Sequence, residues 1–389
     1  MSRRGRFLFI LPPFAGHVVP AAAVGGELIR RGHEVAWATY PIVDELLPAG
    51  GERHLFSSAF APDDFLHARE ASGGRWMAGL KAFWTDVMMP LTREMLPQAE
   101  RAIEEVRPDV VVVDQQALGG ALAARRAGVP WATSAATFAW ASGVQSFPAV
   151  QAWVDAQLEA LQREAGLDVV AEPDLSTDLA LAYTTEELSG CHGRGLPFRY
   201  VGAPIDSREE RDDFPWERLD DRKKVFVSLG TVSYYRGRDF LRMVAEAFDE
   251  SLQVIVAAPE ELLPDPPSNF IVRAWVPQLA LLRRVDAVLC NAGFSTVGEA
   301  LALGVPVIAA PIAYDSSIVA ERVVAAGAGV RVRFYRCTSS DLGKAADLVL
   351  HEPSYRAAAA VLADANRRAG GAGAAADALE STFLTVRGT

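Results

Sequence analysis

Short apolar runs alternate with amphipathic segments along both halves of the 389-residue chain. Apolar runs bounded by turn residues predict buried strands, and apolar positions spaced three and four apart predict helices. In the first half, the pattern predicts strands at 7–11, 34–39, 110–114 and 131–134, and helices at 20–31, 91–106 and 118–127. This alternation is typical of α/β domains built on parallel sheets.

A charge-dense segment with few apolar residues, 205–224, interrupts this pattern and predicts an exposed linker. The alternation then resumes, with predicted strands at 225–230, 253–257, 270–273, 287–290 and 307–310 and predicted helices at 354–368 and 374–384. We therefore expect two Rossmann-like domains, 1–204 and 225–370, that face a cleft. The glycines at 370–373 predict a break before a last helix in 371–389.

Composition narrows the classes of partner. Half of the residues are hydrophobic, which is ample for two cores, and the net charge of −11 argues against nucleic acid as a partner. The three cysteines are widely spaced, which predicts neither disulfides nor a metal site and favours a reducing cytoplasm. The chain has no run of about eighteen uninterrupted apolar residues, so we expect no membrane-spanning segment. The basic start could belong to a signal peptide, but Pro12 ends the apolar run early, so a first buried strand is the better interpretation.

The most informative stretch lies in the second half. Trp275 and Gln278 are expected at the end of a strand, and Trp275 offers a flat face on which a base could stack. The turn around Gly293 opens a helix, and a helix N-terminus suits a diphosphate because the positive end of the helix dipole lies there. Glu299, expected on the first turn of that helix, could accept hydrogen bonds from ribose hydroxyls. The alternatives are core packing for Trp275 and a favourable contact with the helix dipole for Glu299.

Two further residues are candidates for catalysis. His17 is expected on the loop between the first strand and the first helix, where ligands of open α/β sheets collect, and histidine titrates near neutral pH. Asp114 ends a predicted strand, and a carboxylate beside a histidine base fixes its tautomer and stabilises the imidazolium. The alternatives are that His17 satisfies loop backbone groups and that Asp114 caps the helix beginning near Leu118.

The spacing from Trp275 to Asp315 resembles the donor-binding signature of family 1 glycosyltransferases, which have the GT-B fold and use nucleotide sugars. The similarity is greatest to the bacterial branch that modifies macrolides and other natural products, and it extends over nearly the whole chain. It implies that His17 is the catalytic base with Asp114 as its partner, and that the last helix packs back onto the first domain. The implied contacts of the nucleotide sugar are base stacking by Trp275, base recognition by the backbone of Val276, ribose contacts by Gln278 and Glu299, and diphosphate or sugar contacts by Gly230, Thr231, Gly293, Ser295, Thr296 and Asp315.

The chain departs from the family's pattern at two positions. Asn291 stands where the family usually has a histidine that hydrogen-bonds the diphosphate, and Asn can donate through its amide but cannot carry a positive charge. Ser316 stands where a glutamine commonly grips sugar hydroxyls, which favours a donor with fewer hydroxyls, such as a deoxysugar or aminodeoxysugar. We therefore expect a dTDP-sugar, with a UDP-sugar as the alternative. The sequence has no Asp-x-Asp triplet, so we expect neither a metal nor a resident cofactor.

The first half is rich in large apolar side chains outside the alternating pattern. These side chains could line a hydrophobic pocket for the acceptor, the molecule that receives the sugar, although core packing explains them equally well. The candidates for acceptor contacts are Phe65, Trp76, Phe83, Trp84, Met88, Phe138 and Trp140.

The prediction is an inverting glycosyltransferase that transfers a sugar to a hydroxyl of a hydrophobic natural product, such as a polyketide or aromatic aglycone. One alternative is a non-catalytic protein that binds a nucleotide and stabilises a glycosyltransferase; the changes at Asn291 and Ser316 motivate it. The other is a nucleotide-sugar epimerase on the same fold. The sequence does not determine the oligomeric state, and a homodimer is one assembly that it allows.

Overall fold

The chain folds as two units, each built on one parallel β-sheet. The computed structural model describes residues 4–58, 76–137, 148–190, 197–205, 213–230, 234–312 and 315–385. Unit 1 comprises Met1–Tyr183, Cys191–Ser207 and Ala369–Thr389, and unit 2 comprises Thr184–Gly190 and Arg208–Arg368. The α/β class and the two Rossmann-like sheets expected from the sequence are confirmed.

Unit 1 contains seven described strands: β1 (Arg6–Ile10), β2 (Glu34–Thr39), β3 (Glu52–Leu55), β4 (Val110–Asp114), β5 (Trp131–Ala135), β6 (Ala180–Ala182) and β7 (Phe198–Tyr200). Their order in the sheet is β3-β2-β1-β4-β5-β6-β7, with every neighbouring pair parallel. The direction in which the chain adds strands therefore reverses between β1 and β4. In open α/β sheets, ligands bind beside the carboxyl ends of the strands at this reversal.

The first helices of unit 1 cover the sheet. They are α1 (Ala15–Arg30), α2 (Trp76–Ala82), α3 (Met89–Val106), α4 (Leu118–Ala127) and α5 (Pro148–Glu164), with a π-helical turn at Phe83–Met88 and a 3₁₀ segment at Pro41–Leu46. Helix α1 approaches the sheet so closely that a Cβ on Gly25 would lie 2.2 Å from the ring of Trp37, so only glycine fits there. Strands β1 and β4 are almost entirely buried, as expected for parallel strands with helices on both faces.

The predicted start of the first helix at Pro20 is wrong. Helix α1 begins at Ala15, and Pro20 lies inside it. Proline lacks the N–H that would bond four residues back, so α1 forgoes one intrahelical hydrogen bond in its second turn. The consequence is functional: His17 lies in the first turn of α1, not on a loop.

Unit 2 contains six described strands: β8 (Lys223–Ser228), β9 (Leu252–Ala257), β10 (Phe270–Arg273), β11 (Ala287–Cys290), β12 (Val307–Ala309) and β13 (Gly329–Arg331). Their order is β10-β9-β8-β11-β12-β13, again all parallel, with the reversal between β8 and β11. Its helices are α6 (Glu186–Ser189), α7 (Tyr234–Ala247), α8 (Gln278–Leu282), α9 (Phe294–Ala302), α10 (Ser316–Ala325), α11 (Ser339–His351) and α12 (Pro353–Ala369).

The last helix, α13 (Gly371–Phe383), returns to unit 1 and packs against α1. The guanidinium of Arg31 joins the two helices: its Nη1 lies 2.6 Å from Asp377 Oδ1 and 3.2 Å from Glu380 Oε1, and its Nη2 donates to the carbonyl oxygen of Gly373 at 3.0 Å. His33 adds a second contact, with Nε2 3.0 Å from Glu380 Oε1 while its Nδ1 accepts the Gly5 N–H at 3.0 Å. Polar contacts of two residues just after α1, Arg31 and His33, therefore hold α13 in place.

We predict that Arg31→Ala loosens α13. The variant loses two ion pairs and a hydrogen bond to α13, together with an ion pair to Glu27 of α1, at a partly buried site. The free energy of unfolding of unit 1 should therefore fall by about 1–2 kcal/mol. Amide hydrogen exchange should accelerate selectively in 371–383. The matched control is Arg30→Ala, because Arg30 contacts the same Glu27 but points to solvent. Equal protection of α13 in both variants would contradict the assignment.

Candidate active site

The carboxyl edge of β1 and β4 brings His17 and Asp114 together in unit 1. Asp114 is the last residue of β4, which pairs with β1, and His17 lies in the first turn of the helix that follows β1. His17 Nδ1 lies 2.9 Å from Asp114 Oδ1 and 3.1 Å from Oδ2. Because an ionised carboxylate only accepts hydrogen bonds, this contact places a proton on Nδ1 and makes Nε2 the basic nitrogen of the neutral ring.

Asp114 is built into this arrangement rather than into a helix cap. Its side chain is fully buried, and Oδ1 also accepts the backbone N–H of Gln116 at 2.8 Å. The N-cap of α4 is Ala117, with no side-chain cap, so the interpretation of Asp114 as a helix cap is wrong. The neighbouring Gln115 donates to Asp174 at 2.9 Å, which directs its amide nitrogen to another partner.

Sequence reasoning missed the side chains around this pair. Phe14 presents its ring edge-on to His17, with centroids 5.7 Å apart. On the neighbouring strand β5, Ser134 pairs in register with Asp114, and its hydroxyl lies 3.0 Å from that of Tyr183. Burial raises the pKa of Tyr183 well above its usual range, and the charge of Asp114 raises it further, so the phenol stays protonated. The side chains around His17 and Asp114 belong to no local sequence motif, and only the strand register would have revealed them.

The equivalent edge of unit 2 carries Gly230 after β8 and Asn291 after β11. Gly230 has φ of +69°, and a Cβ there would lie 3.1 Å from the side-chain nitrogen of Asn291, so the two turns approach closely. Asn291 Oδ1 accepts the backbone N–H of Gly293 at 3.1 Å. The carboxamide therefore shapes the turn into α9 with its oxygen, and its nitrogen lies beside the backbone of Gly230. Thr231, predicted beside Gly230, lies outside the described residues.

Gln278 and Glu299, both expected to contact ribose, bind each other in this structure. Gln278 Nε2 donates to Glu299 Oε2 at 2.6 Å. Two expectations about their positions are wrong: Gln278 begins helix α8 instead of ending a strand, and Glu299 is the sixth residue of α9, beyond its first turn. The helix-dipole explanation for Glu299 weakens accordingly, because the dipole acts within the first turn.

The remaining residues that are expected to bind the sugar donor lie at the same carboxyl edge of the unit 2 sheet as Gly230 and Asn291. Trp275, in the loop after β10, is 45% exposed, which argues against a simple core role, whereas Val276 beside it is buried. Ser295 and Thr296 lie in the first turn of α9, whose N-cap is Gly293. Asp315 is the N-cap residue of α10, and Ser316, its first residue, is buried.

The acceptor candidates divide into core residues, residues at the margin of a core, and residues that the structure does not describe. Met88 is buried with Met89, Leu118 and Leu122, so core packing explains it. Phe83 and Trp84, in the same π-helical turn, are half-buried at the margin of that cluster. Phe65, Phe138 and Trp140 lie outside the described residues, as does the side chain of Trp76.

Two general features of the described residues complete the picture. Within the ranges given above, no group of three or more His, Cys, Asp or Glu side chains could hold a metal ion. None of the helices in those ranges combines the length and hydropathy needed to cross a membrane.

Burial raises the pKa of the Cys290 thiol, at the end of β11, to about 12, so this thiol is not a nucleophile at neutral pH.

Comparison with known proteins finds that the chain is similar to glycosyltransferases along most of its length. Residues 220–367 match the family described as "UDP-glucoronosyl and UDP-glucosyl transferase". The chain is 28% identical to the NDP-glycosyltransferase YjiC of Bacillus subtilis (strain 168), over 95% of each chain. It is 29% identical to demethyllactenocin mycarosyltransferase of Streptomyces fradiae, over 97% of this chain and 86% of that protein.

A solved structure of the glycosyltransferase VinC in complex with dTDP has the same fold, with a TM-score of 0.73 and 19% identity over 97% of this chain and 99% of VinC. The fold, the family match and the full-length relatives agree with the resemblance seen in the sequence. They bear out the expected enzyme over the alternative of a non-catalytic protein. The chain has the GT-B fold and is a nucleotide-sugar-dependent glycosyltransferase, similar to family 1 enzymes of the bacterial natural-product branch.

Proposed function

We propose that the enzyme transfers a deoxysugar from a dTDP donor to a hydroxyl of a hydrophobic natural product, with inversion and with His17 as the base. The observation that carries this proposal is the contact between His17 Nδ1 and the buried carboxylate of Asp114. It directs the basic nitrogen, Nε2, away from Asp114, and the negative charge of Asp114 stabilises the imidazolium formed when Nε2 accepts a proton.

The reaction is a single displacement. The acceptor hydroxyl gives its proton to His17 Nε2 while its oxygen forms a bond to the anomeric carbon of the sugar. The bond between that carbon and the diphosphate oxygen breaks, and the nucleoside diphosphate leaves with the electron pair. Attack from the face opposite the leaving group inverts the anomeric configuration.

The departing diphosphate needs compensation for its charge. We assign this role to the N-terminus of α9 at Gly293, Ser295 and Thr296, where the positive end of the helix dipole lies. Asn291 adds a neutral donor through its side-chain nitrogen, beside the backbone of Gly230. Because these groups supply the compensation from the protein itself, the proposal requires no metal ion.

Three features support the nucleotide site. The exposed indole of Trp275 can stack on a base, and the buried backbone of Val276 can recognise its edge. The carboxylate of Glu299 is already oriented by Gln278, so it can accept a sugar hydroxyl without a large loss of side-chain entropy. The choice of dTDP rests on the short side chain of Ser316, on the bound dTDP of VinC and on the mycarosyl transfer of the Streptomyces relative.

The acceptor site is assigned to unit 1, which holds His17. Phe83 and Trp84 are half-buried beside the core cluster of Met88 and Met89, so each retains apolar surface for a ligand. Apolar and aromatic lining with few polar groups is typical of pockets for large organic ligands.

We predict that His17→Ala reduces transfer by roughly 10²–10⁴-fold, the usual contribution of a general base, while the affinity for dTDP stays unchanged. Single-turnover kinetics and calorimetry measure the two quantities separately. Because the alanine variant leaves Asp114 without its partner, His17→Gln is the second variant: its amide can donate to Asp114 but cannot accept the proton. Transfer by either folded variant at the wild-type rate would exclude His17 as the base.

We predict that Trp275→Ala weakens dTDP binding by about 5- to 150-fold, because stacking of a base on an aromatic ring is worth about 1–3 kcal/mol. Calorimetric titration with dTDP measures the change. The matched control is Trp153→Ala, which removes a partly exposed indole from α5 in unit 1 and should leave the affinity unchanged. Wild-type affinity in the Trp275 variant would show that the indole does not hold the base.

Titration of the purified chain with dTDP, UDP and GDP tests the choice of donor. We expect dTDP to bind at least several-fold more tightly than the other two. A preference for UDP or GDP would keep the transferase and reject the dTDP donor. Binding of none of the three would contradict the nucleotide site proposed for unit 2.

A further inference from the structure

A cavity lies in unit 2, at the opposite edge of the sheet from Gly230 and Asn291. Its volume is about 640 Å³, and it opens at the amino ends of β8 and β11, where Lys223 and Asp286 lie. Strand β8 is six residues long, so the cavity is roughly 20 Å from the turn at Gly230. The nucleotide site and its diphosphate groups are therefore remote from this cavity.

The lining of the cavity is positively charged in a chain whose net charge is −11. Four cationic side chains line it, compared with two carboxylates, Asp286 and Glu352. The cations are Lys223, Arg283, Arg284 and Arg356. The N-terminus of α12, at Pro353, also lies at the cavity and adds the positive end of a helix dipole.

Most of these cations are held in place by uncharged partners. Lys223 Nζ donates to the carbonyl oxygen of Leu350 at 2.9 Å, and Arg356 Nη2 donates to that of Asp286 at 2.7 Å. The guanidinium of Arg284 lies over the ring of Trp216, 4.3 Å from its centroid. These contacts fix the positions of the charges without neutralising them; the one ion pair among them, between Arg356 and Asp286 Oδ1, is long at 3.6 Å.

Arg283 differs from the other three. It is exposed, and its side chain has no hydrogen bond or ion pair with any residue in the described part of the chain. An arginine without a partner, beside three positioned cations, can turn toward an anion at little cost. Guanidinium groups bind phosphate oxygens in a two-pronged geometry, which makes them preferred phosphate ligands.

We propose that this cavity binds a small free polyanion that carries two or more phosphate groups. The volume lies within the range of small-molecule sites, and the excess of positive charge calls for an anion. An extended anionic surface would meet the net negative charge of the chain over a wide area, whereas a small ligand meets mainly the cationic lining of the cavity. A free ligand in solution is therefore the occupant that fits. This site goes beyond the proposed transfer reaction and uses none of its residues.

Calorimetric titration of the full chain with inorganic tripolyphosphate tests the proposal, with and without saturating dTDP. We expect binding that persists in dTDP, because the two sites are separate. The variant R283E should weaken that binding roughly ten-fold or more, and Arg283→Gln should weaken it less, because charge reversal adds repulsion to the lost attraction. The matched control, R101E, makes the same change of net charge on the exposed face of α3 and should bind as the wild type does.

Two results would overturn the proposal. Absence of tripolyphosphate binding to dTDP-saturated wild-type protein would show that any binding belongs to the nucleotide site. Equal affinities of R283E and R101E would show an adventitious ion only. The affinities of R283E and R101E for tripolyphosphate are also compared without dTDP, so that comparison does not depend on which nucleotide the sugar donor carries. A wrong assignment of dTDP as the donor nucleotide is therefore recognised separately.

Discussion

A parallel sheet brings the carboxyl ends of all its strands to one edge, and both candidate sites depend on this constraint. Strands β1 and β4 are neighbours at the reversal of strand order in unit 1, which places Asp114 2.9 Å from a histidine almost one hundred residues earlier in the chain. Strands β8 and β11 do the same in unit 2 for Gly230 and Asn291. The two residues of each pair come together because the strands that carry them are adjacent in the sheet, regardless of the length of the sequence between them.

Burial gives the pair in unit 1 its chemical character. A buried carboxylate is costly unless it is hydrogen-bonded, and Asp114 meets this need with the ring of His17 and the N–H of Gln116. The same contacts fix the tautomer of the ring, so that one interaction serves both the fold and the proposed catalysis. Tyr183, buried nearby with Ser134, keeps a neutral hydroxyl beside the charge of Asp114. The proposed base is therefore positioned by the core of unit 1, which a short motif in the sequence cannot show.

The sequence predicted strands that depend on the local pattern of residues, and it missed contacts between residues that lie far apart in the chain. Strands such as 110–114 and 270–273 have the predicted bounds, because continuous apolar runs are buried on both faces. Helix α1 begins earlier than Pro20 suggests, because a proline inside a helix removes one hydrogen bond without preventing the helix from forming around it. The docking of α13 through Arg31 joins residues about 346 positions apart, and the contact of Gln278 with Glu299 joins two helices. Neither leaves a periodic signal, so their detection requires coordinates.

A double-mutant cycle on His17 and Asp114 tests the central claim that the two act as one catalytic unit. The rate of sugar transfer would be measured in single turnovers for His17→Gln, Asp114→Asn and the double variant. We expect the double variant to be no slower than His17→Gln alone, because Asp114 acts only through the histidine. Losses that multiply in the double variant would show that the two residues act independently, and not as one catalytic unit.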